Sequence, residues 1–261
     1  MKLATWNINS VRAREARLLA WLDRWQPDVL CLQELKVVDE AFPRRPIEER
    51  GYHCTVFGQK TYNGVAILSK SEPSEVLRGF GDGPDEVDSR LLSARIDGIH
   101  VLSAYFPNGG ELGSDKWAYK LRWFEQLRAY LDRRFDPAVD EVALCGDYNV
   151  APYPDDVSVE AFEGTVLANP EIRAALDRIR DFGLVDVVRP FFPDGGVYTW
   201  WDYRGRGFEK NHGLRIDHID CTRPLAERVI GAFVDREERR GKGASDHVPV
   251  IVEIEERAPL P

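Results

Sequence analysis

Glu34, Asp147, Asp217 and Asp246 are not scattered at random: each stands at an end of, beside or within a short apolar run. Thr5-Trp6-Asn7 closes one run, Cys31-Leu32-Gln33-Glu34 a second, and Tyr105-Phe106-Pro107-Asn108 a third. Cys145-Gly146-Asp147-Tyr148-Asn149 ends a fourth, and Ser245-Asp246-His247 precedes the last. Asp217 lies inside the run 214–219, where strand alternation would bury its charge unless it has a partner. Any one of these sites alone reads as a strand cap or turn, because Asn and Asp are common turn formers. If the strand ends converge on one rim, however, they bring Glu34, Asp147, Asp217, Asp246, Asn7, Asn149, Tyr105 and His247 to one cleft. Carboxylate and amide oxygens favour Mg2+ or Mn2+, and the absence of a Cys/His cluster argues against zinc. Clustered carboxylates repel one another, so a bound cation or shared protons are required. Mg2+, a carboxylate base, a His and amide donors equip such a cleft to hydrolyse a phosphate ester.

The elements that would position these groups are short. Strand-length runs occur at 3–8, 28–32, 64–68, 91–96, 99–106, 142–145, 197–201, 214–219 and 248–254, which predicts nine or ten strands. Three stretches have helical spacing. Val11, Leu18, Leu22 and Trp25 follow a cap at Asn9 or Ser10 and stop at Pro27; Trp117, Leu121, Phe124, Leu127 and Leu131 follow Ser114. Ile172, Leu176 and Ile179 follow Asn169 as cap and Pro170 at the first helical position. Many strands with a few amphipathic helices predict an α/β sandwich of two facing sheets covered by helices. The loops at 80–88, 107–114 and 202–213 are too short for linkers, so the 261 residues are expected to form a single domain, 1–261.

Composition sets further bounds. With 43% hydrophobic and 30% charged residues the chain has the make-up of a globular protein. No apolar run approaches membrane-spanning length, and the start turns polar at Asn7 before a signal-peptide core could form. Cys31, Cys54, Cys145 and Cys221 are too far apart for a zinc knuckle or redox pair, and all but Cys54 sit in or beside apolar runs. They read as buried free thiols of a cytoplasmic protein. The net charge of −9, taken alone, speaks against a nucleic-acid partner.

The motifs Thr5-Trp6-Asn7-Ile8-Asn9, Leu32-Gln33-Glu34-Leu35-Lys36, Tyr105-Phe106-Pro107-Asn108-Gly109, Gly146-Asp147-Tyr148-Asn149, Leu214-Arg215-Ile216-Asp217 and Ser245-Asp246-His247-Val248-Pro249 resemble the exonuclease III family of abasic-site endonucleases. That family lies in the endonuclease/exonuclease/phosphatase superfamily, and its motifs recur here in order from residue 3 to residue 250. The resemblance implies a four-layered α/β sandwich. It implies Glu34 as principal Mg2+ ligand (Mn2+ being the alternative), with Asn7 and Asp246 close to the metal. Asp147 would generate the attacking hydroxide, and Asn149 would hold it and the phosphate. His247, paired with Asp217, would donate a hydrogen bond to the scissile phosphate, and Tyr105 would contact a phosphate oxygen or the leaving group. Whether Asp147 or the His/Asp pair deprotonates the water stays open.

The implied substrate is duplex DNA with abasic sites or blocked 3′ ends. Lys36 stands where abasic-site endonucleases usually carry a lysine, and 199–211 resembles their groove-entering loop, with Arg204, Arg206 and Asn211 as DNA contacts. Trp200, Leu214 and Ile216 are the implied pocket for a flipped-out deoxyribose, and flipping is cheapest at such a damaged position. Two rival readings stay open: a superfamily phosphoesterase acting on small-molecule or lipid phosphates, and a catalytically inactive DNA-binding relative. The second would carry a broken motif, and Glu34, Asp147, Asn149, Asp217, Asp246 and His247 are all present here. The acidic total is reconciled with DNA if four acids face a cation while Lys36, Lys116, Arg204, Arg206, Lys210 and Arg215 form a basic rim. The acidic runs at 82–88 and 155–156 are then expected to lie away from the cleft. A monomer with no membrane attachment is expected.

Overall fold

The computed structural model describes residues 1–81 and 88–256; most of the loop and acidic run at 80–88 falls outside them. Among the described residues, twelve strands form two six-stranded sheets. They are β1 Lys2–Asn7, β2 Val29–Gln33, β3 His53–Phe57, β4 Val65–Ser69, β5 Ser74–Arg78, β6 Leu91–Ile96, β7 Ile99–Tyr105, β8 Val142–Asp147, β9 Leu184–Asp186, β10 Asp217–Thr222, β11 Val229–Val234 and β12 Val250–Ile254. One sheet runs β11-β12-β1-β2-β4-β3, the other β5-β6-β7-β8-β10-β9. Each is mixed: β1/β2 and β7/β8 are parallel, their neighbours antiparallel.

Alternation along the strands builds the layers. Leu3, Val29, Cys31, Ile67, Val101, Ala143, Cys145, Ile219 and Cys221 point between the sheets and form the central core. Ala4, Trp6, Leu30 and Leu32 point outward beneath helix α1, Glu15–Trp25, which contributes Leu18, Trp21 and Leu22. Across the molecule Leu102, Ala104 and Leu144 pack under two further long helices, here α2 (Asp115–Arg134) and α3 (Pro170–Arg180). The order helix, sheet, sheet, helix is the expected four-layered sandwich.

Two helix starts agree with the sequence. The Ser114 side chain accepts from the Trp117 backbone N–H at 3.2 Å, and that of Asn169 from Ile172 at 3.1 Å. Helix α1 departs from it. Asn9 and Ser10 adopt left-handed backbone conformations, and the helix begins only at Glu15, without a side-chain cap. The run 197–201 is no strand; Trp200 makes only isolated bridges, to Leu214 and His247. β10 begins at Asp217 rather than Leu214.

Arg215 requires a correction: it is buried, not part of a basic rim. Its guanidinium grips Asp156 at 2.7 and 3.1 Å and Asp186 at 2.8 Å. Arg189 also pairs with Asp156, and Arg180 with Asp220 at 2.8 Å. Asp156 is thus a buried network member, whereas Asp155 is exposed. Arg215→Ala would leave Asp156 with Arg189 alone and Asp186 with Arg180 alone, so urea unfolding should show a loss of up to about 3–5 kcal/mol; a loss under about 1 kcal/mol would show that the network is dispensable. His218, next to Asp217, points away from the cleft into this network and donates from Nε2–H to the Val150 carbonyl oxygen (3.0 Å), a satisfied core histidine.

Candidate active site

The same alternation that builds the central core selects the site. Asn7 is in phase with Leu3 and Thr5, Tyr105 with Val101 and Ser103, Asp147 with Ala143 and Cys145, and Asp217 with Ile219 and Cys221. Each therefore faces the space between the sheets at a strand end, where the apolar filling stops. Register brings them level: Asp147 lies opposite Tyr105 on one side and Asp217 on the other. Gly146 permits this, because a Cβ there would sit 1.8 Å from the carbonyl oxygen of Ala104 on the neighbouring strand.

Asn7 bridges the two sheets. Its amide nitrogen donates to Glu34 at 2.8 Å and to Asp147 at 2.9 Å, while its oxygen accepts the Asn9 N–H at 3.0 Å. Glu34 follows β2 directly, with φ 51°, and Asn149 follows β8 with φ 51°. A left-handed glutamate is uncommon, and such backbone outliers gather at functional sites. Asn149 donates its backbone N–H to Asp147 (2.9 Å) and accepts at Oδ1 from the Asn108 amide (3.1 Å). His247 Nδ1 donates to Asp217 at 2.8 Å, and its Nε2 stands 3.7 Å from Asp147, beyond hydrogen-bonding distance.

Burial pushes the Asp147 carboxyl up to about 7, and the charges of Asp217 and Glu34 add to this against the pull of His247. For His247 burial disfavours the imidazolium, yet Asp217, Asp147 and Asp246 together reverse that and lift it to about 10. Burial, then Glu34 and Asp147, hold the Tyr105 phenol well above its ordinary range, so it stays a hydrogen-bond donor. Glu34, Asp147 and His247 offer ligand atoms within 4.8 Å of one another. An imidazolium has no lone pair for a metal, so the two carboxylates are the fitting donors. A buried and a half-buried acid sharing one amide nitrogen, the buried one driven towards protonation, are the donor set that a hard divalent cation neutralises.

Asp246 lies one hydrogen-bonded step away. Its oxygens accept from the Asn9 amide (2.8 Å) and the Trp200 indole N–H (3.1 Å), and it is outside the three-residue group. Burial acts against its carboxylate, but His247 and these two bonds outweigh it and keep it below the usual carboxylate range.

With the geometry in place, comparison with known proteins is decisive. The sequence model of the Endonuclease/Exonuclease/phosphatase family matches residues 4–247, a span that holds every central residue above. The chain belongs to this family. It is 36% identical over 267 residues to exodeoxyribonuclease III of Haemophilus influenzae, covering 97% of this chain and 100% of that relative. It is 32% identical to an exodeoxyribonuclease of Bacillus subtilis over 257 residues, covering 96% and 98%. Among solved structures, an AP endonuclease from Archaeoglobus fulgidus superposes with TM-score 0.93 at 39% identity, covering 97% and 99%. The 3′ phosphatase NExo from Neisseria, bound to a product DNA hairpin, superposes with TM-score 0.93 at 37% identity, covering 98% and 100%.

Around this endonuclease/exonuclease/phosphatase centre the remaining sequence candidates divide. Trp200, Leu214 and Ile216 come together, with Ala151, Ala168, Val157, Phe162 and Leu167 completing a small apolar cluster separate from the main core. None of those five is legible as part of the pocket from the sequence, because they come from loops without periodicity, although Ala151 lies two residues past Asn149 in the motif that begins at Gly146. Lys36, φ 57°, pairs with Glu34 at 2.9 Å and reaches Asn9 at 2.6 Å. Arg204 is exposed and paired with Asp202, and Arg206, Lys210 and Lys116 are exposed. Asn211 instead braces the loop, its side-chain oxygen accepting from Trp201 and Arg236 at 3.3 Å each. The aromatic side of that loop is held from behind: Arg236 lies 4.3 Å from the Phe208 ring centre and Arg239 4.8 Å from that of Tyr203. Asn9 and Asn108, quoted in the motifs without roles, prove to be the side chains that connect the acids to their surroundings.

Proposed function

We propose that the chain is a Mg2+-dependent DNA repair nuclease that hydrolyses the phosphodiester 5′ to abasic sites in duplex DNA. It also removes nucleotides and phosphates from 3′ ends. The observation that carries this reading is the acid pair Glu34/Asp147, bridged by Asn7 and faced by the His247–Asp217 couple. The relatives add the substrate class: an AP endonuclease, exodeoxyribonucleases and a 3′ phosphatase bound to DNA.

Enzymes of this family depend on a divalent cation. Held by Glu34, Mg2+ or Mn2+ would supply positive charge at the phosphate and acidify water. Asp147, at about 7, suits a proton acceptor working near neutrality, and Asn7 and Asn149 fix its orientation. The cationic His247 presents Nε2–H towards the phosphate oxygens, where negative charge grows in the transition state. Tyr105 keeps its proton and donates at the same edge. Lys36 and the exposed Arg204 and Arg206 contact backbone phosphates, and Trp200, Leu214 and Ile216 receive the base-less sugar. The complete constellation comes from one chain, which supports a monomer. Four unpaired cysteines support a reducing, cytoplasmic setting. Among the described residues no helix is long and apolar enough to cross a membrane.

A substrate panel tests this reading against the small-phosphate rival. Phosphate release from a 3′-phosphorylated duplex and shortening of recessed 3′ ends are expected in Mg2+. Turnover of inositol phosphates or sphingomyelin with DNA left untouched would replace the reading with the rival.

A further inference from the structure

Lys120 lies in the second turn of α2, on the apolar face with Trp117, Phe124 and Leu127, and is fully buried. Its ammonium makes no ion pair among the described residues. It donates instead to three backbone carbonyls, Asn108 at 3.1 Å, Asn149 at 2.8 Å and Val166 at 2.7 Å. These belong to two connections, one of them held at both its ends. The first carbonyl follows β7 and Tyr105, the second follows β8 and Asp147, and the third leads into the apolar cluster at Leu167 and Ala168. Asn108 and Asn149 are also joined side chain to side chain at 3.1 Å. Burial pushes the ammonium down to about 7, with only Asp147 opposing. A buried cation without a counter-ion is costly, and an apolar side chain of similar length would fill the volume. Gly109 packs closely on the stem: an added Cβ there would lie 2.9 Å from Lys120 Cδ.

We propose that Lys120 is a positioning residue for catalysis: by tying the carbonyls of Asn108, Asn149 and Val166 to one ammonium, it sets the Asn149 amide against Asp147 and fixes the site's loops in mutual register. Asn149 holds a left-handed backbone conformation two residues past the end of β8, and the ammonium fixes the carbonyl of that turn. No atom of Lys120 touches the reacting groups; it acts through Asn149 and Asn108. This inference rests on the nuclease reading above.

The test uses the full chain and a duplex with one tetrahydrofuran abasic analogue, with enzyme in excess so that each folded complex turns over once. Wild-type incision in that assay reports on the nuclease reading, and the variant-to-wild-type ratio reports on Lys120. Lys120→Met is expected to lower the single-turnover rate constant about 10- to 100-fold, as an angstrom-scale displacement of catalytic groups does. The enzyme concentration giving half-maximal rate should stay within about 2-fold, because the DNA-facing side chains are unchanged. Lys120→Gln, which keeps two donors, should lose less and serves if the Met variant does not fold. In an Asn149→Ala background Lys120→Met should cost less than about 2-fold, because the residue it positions is gone. NMR of the Asn149 side-chain amide, recorded without DNA, should shift in the Lys120 variants. Wild-type rate constants in the variants, full multiplication of the two losses, a weakened half-saturation in place of the rate, or an unmoved amide would each overturn the proposal.

Discussion

Asp147→Asn is expected to lose activity and gain stability at once. An amide cannot take the proton from water, and removing a general base costs about 10²- to 10⁴-fold. The loss should appear in the single-turnover rate constant on an abasic duplex, with DNA affinity retained. Stability moves the other way for a reason visible in the site. Burial lifts the Asp147 carboxyl to about 7, far above its value in an unfolded chain. Between pH 4 and pH 7 the unfolded chain therefore releases a proton that the folded protein keeps. Stability falls across that window and stays low above it. Asparagine has no such charge to bury, so the metal-free variant should gain roughly 1–4 kcal/mol at pH 8. At pH 4 the gain should vanish. Urea unfolding at the two pH values checks this, and a variant less stable than wild type at pH 8 would contradict the assignment of Asp147 as a strained buried acid.

The second large effect belongs to Asp217. It makes the strongest favourable contribution to the imidazolium of His247, which titrates at about 10 in its presence. Asp217→Asn removes that support while keeping the shape. His247 should then be neutral at pH 8, and the loss of a charged donor at the phosphate costs about 10²- to 10³-fold. The deficit should shrink at pH 6, where the imidazole regains its proton, so the alkaline limb of the rate profile moves to lower pH. Stability carries the same sign. A folded value raised above the unfolded 6.5 stabilises fully below 6.5 and is lost as pH rises towards 10 in wild type. That slope should flatten in the variant. A pH-independent loss would assign Asp217 to packing alone.

The residues that the sequence shows most clearly are those placed by strand alternation. Asn7, Tyr105, Asp147 and Asp217 lie in phase with inward apolar residues, so a polar residue ending the run marks the rim of the core. The strands that escaped notice, β3, β5, β9 and β11, are the four sheet edges. An edge strand buries part of one face and carries polar residues along the rest, so its pattern fades. Trp200 illustrates the opposite error: Val197 to Trp201 has strand composition, but its partners are single bridges in a loop that walls the site. Arg215 and Lys120 show where charge misleads. Each is a basic residue buried on partners distant along the chain: Asp156 and Asp186 for one, three backbone carbonyls for the other. Lys120 left one local trace, a lysine at an apolar-stripe position three residues after Trp117 and four before Phe124.

The acids that weigh the chain towards −9 are therefore compatible with DNA, because the two central ones belong to a candidate cation site and others are locked in buried pairs. On the proposed reading Glu34 and Asp147, at the mouth between the sheets, make a metal-dependent phosphodiesterase for abasic DNA. A 5′-labelled duplex carrying one tetrahydrofuran abasic analogue, incubated with Mg2+ or with EDTA, tests it most directly. A single cut immediately 5′ to the lesion, leaving a 3′-hydroxyl, is the predicted result; it should disappear in EDTA and in Glu34→Ala. An intact duplex after excess wild-type enzyme with Mg2+, or equal cutting in EDTA, would contradict it.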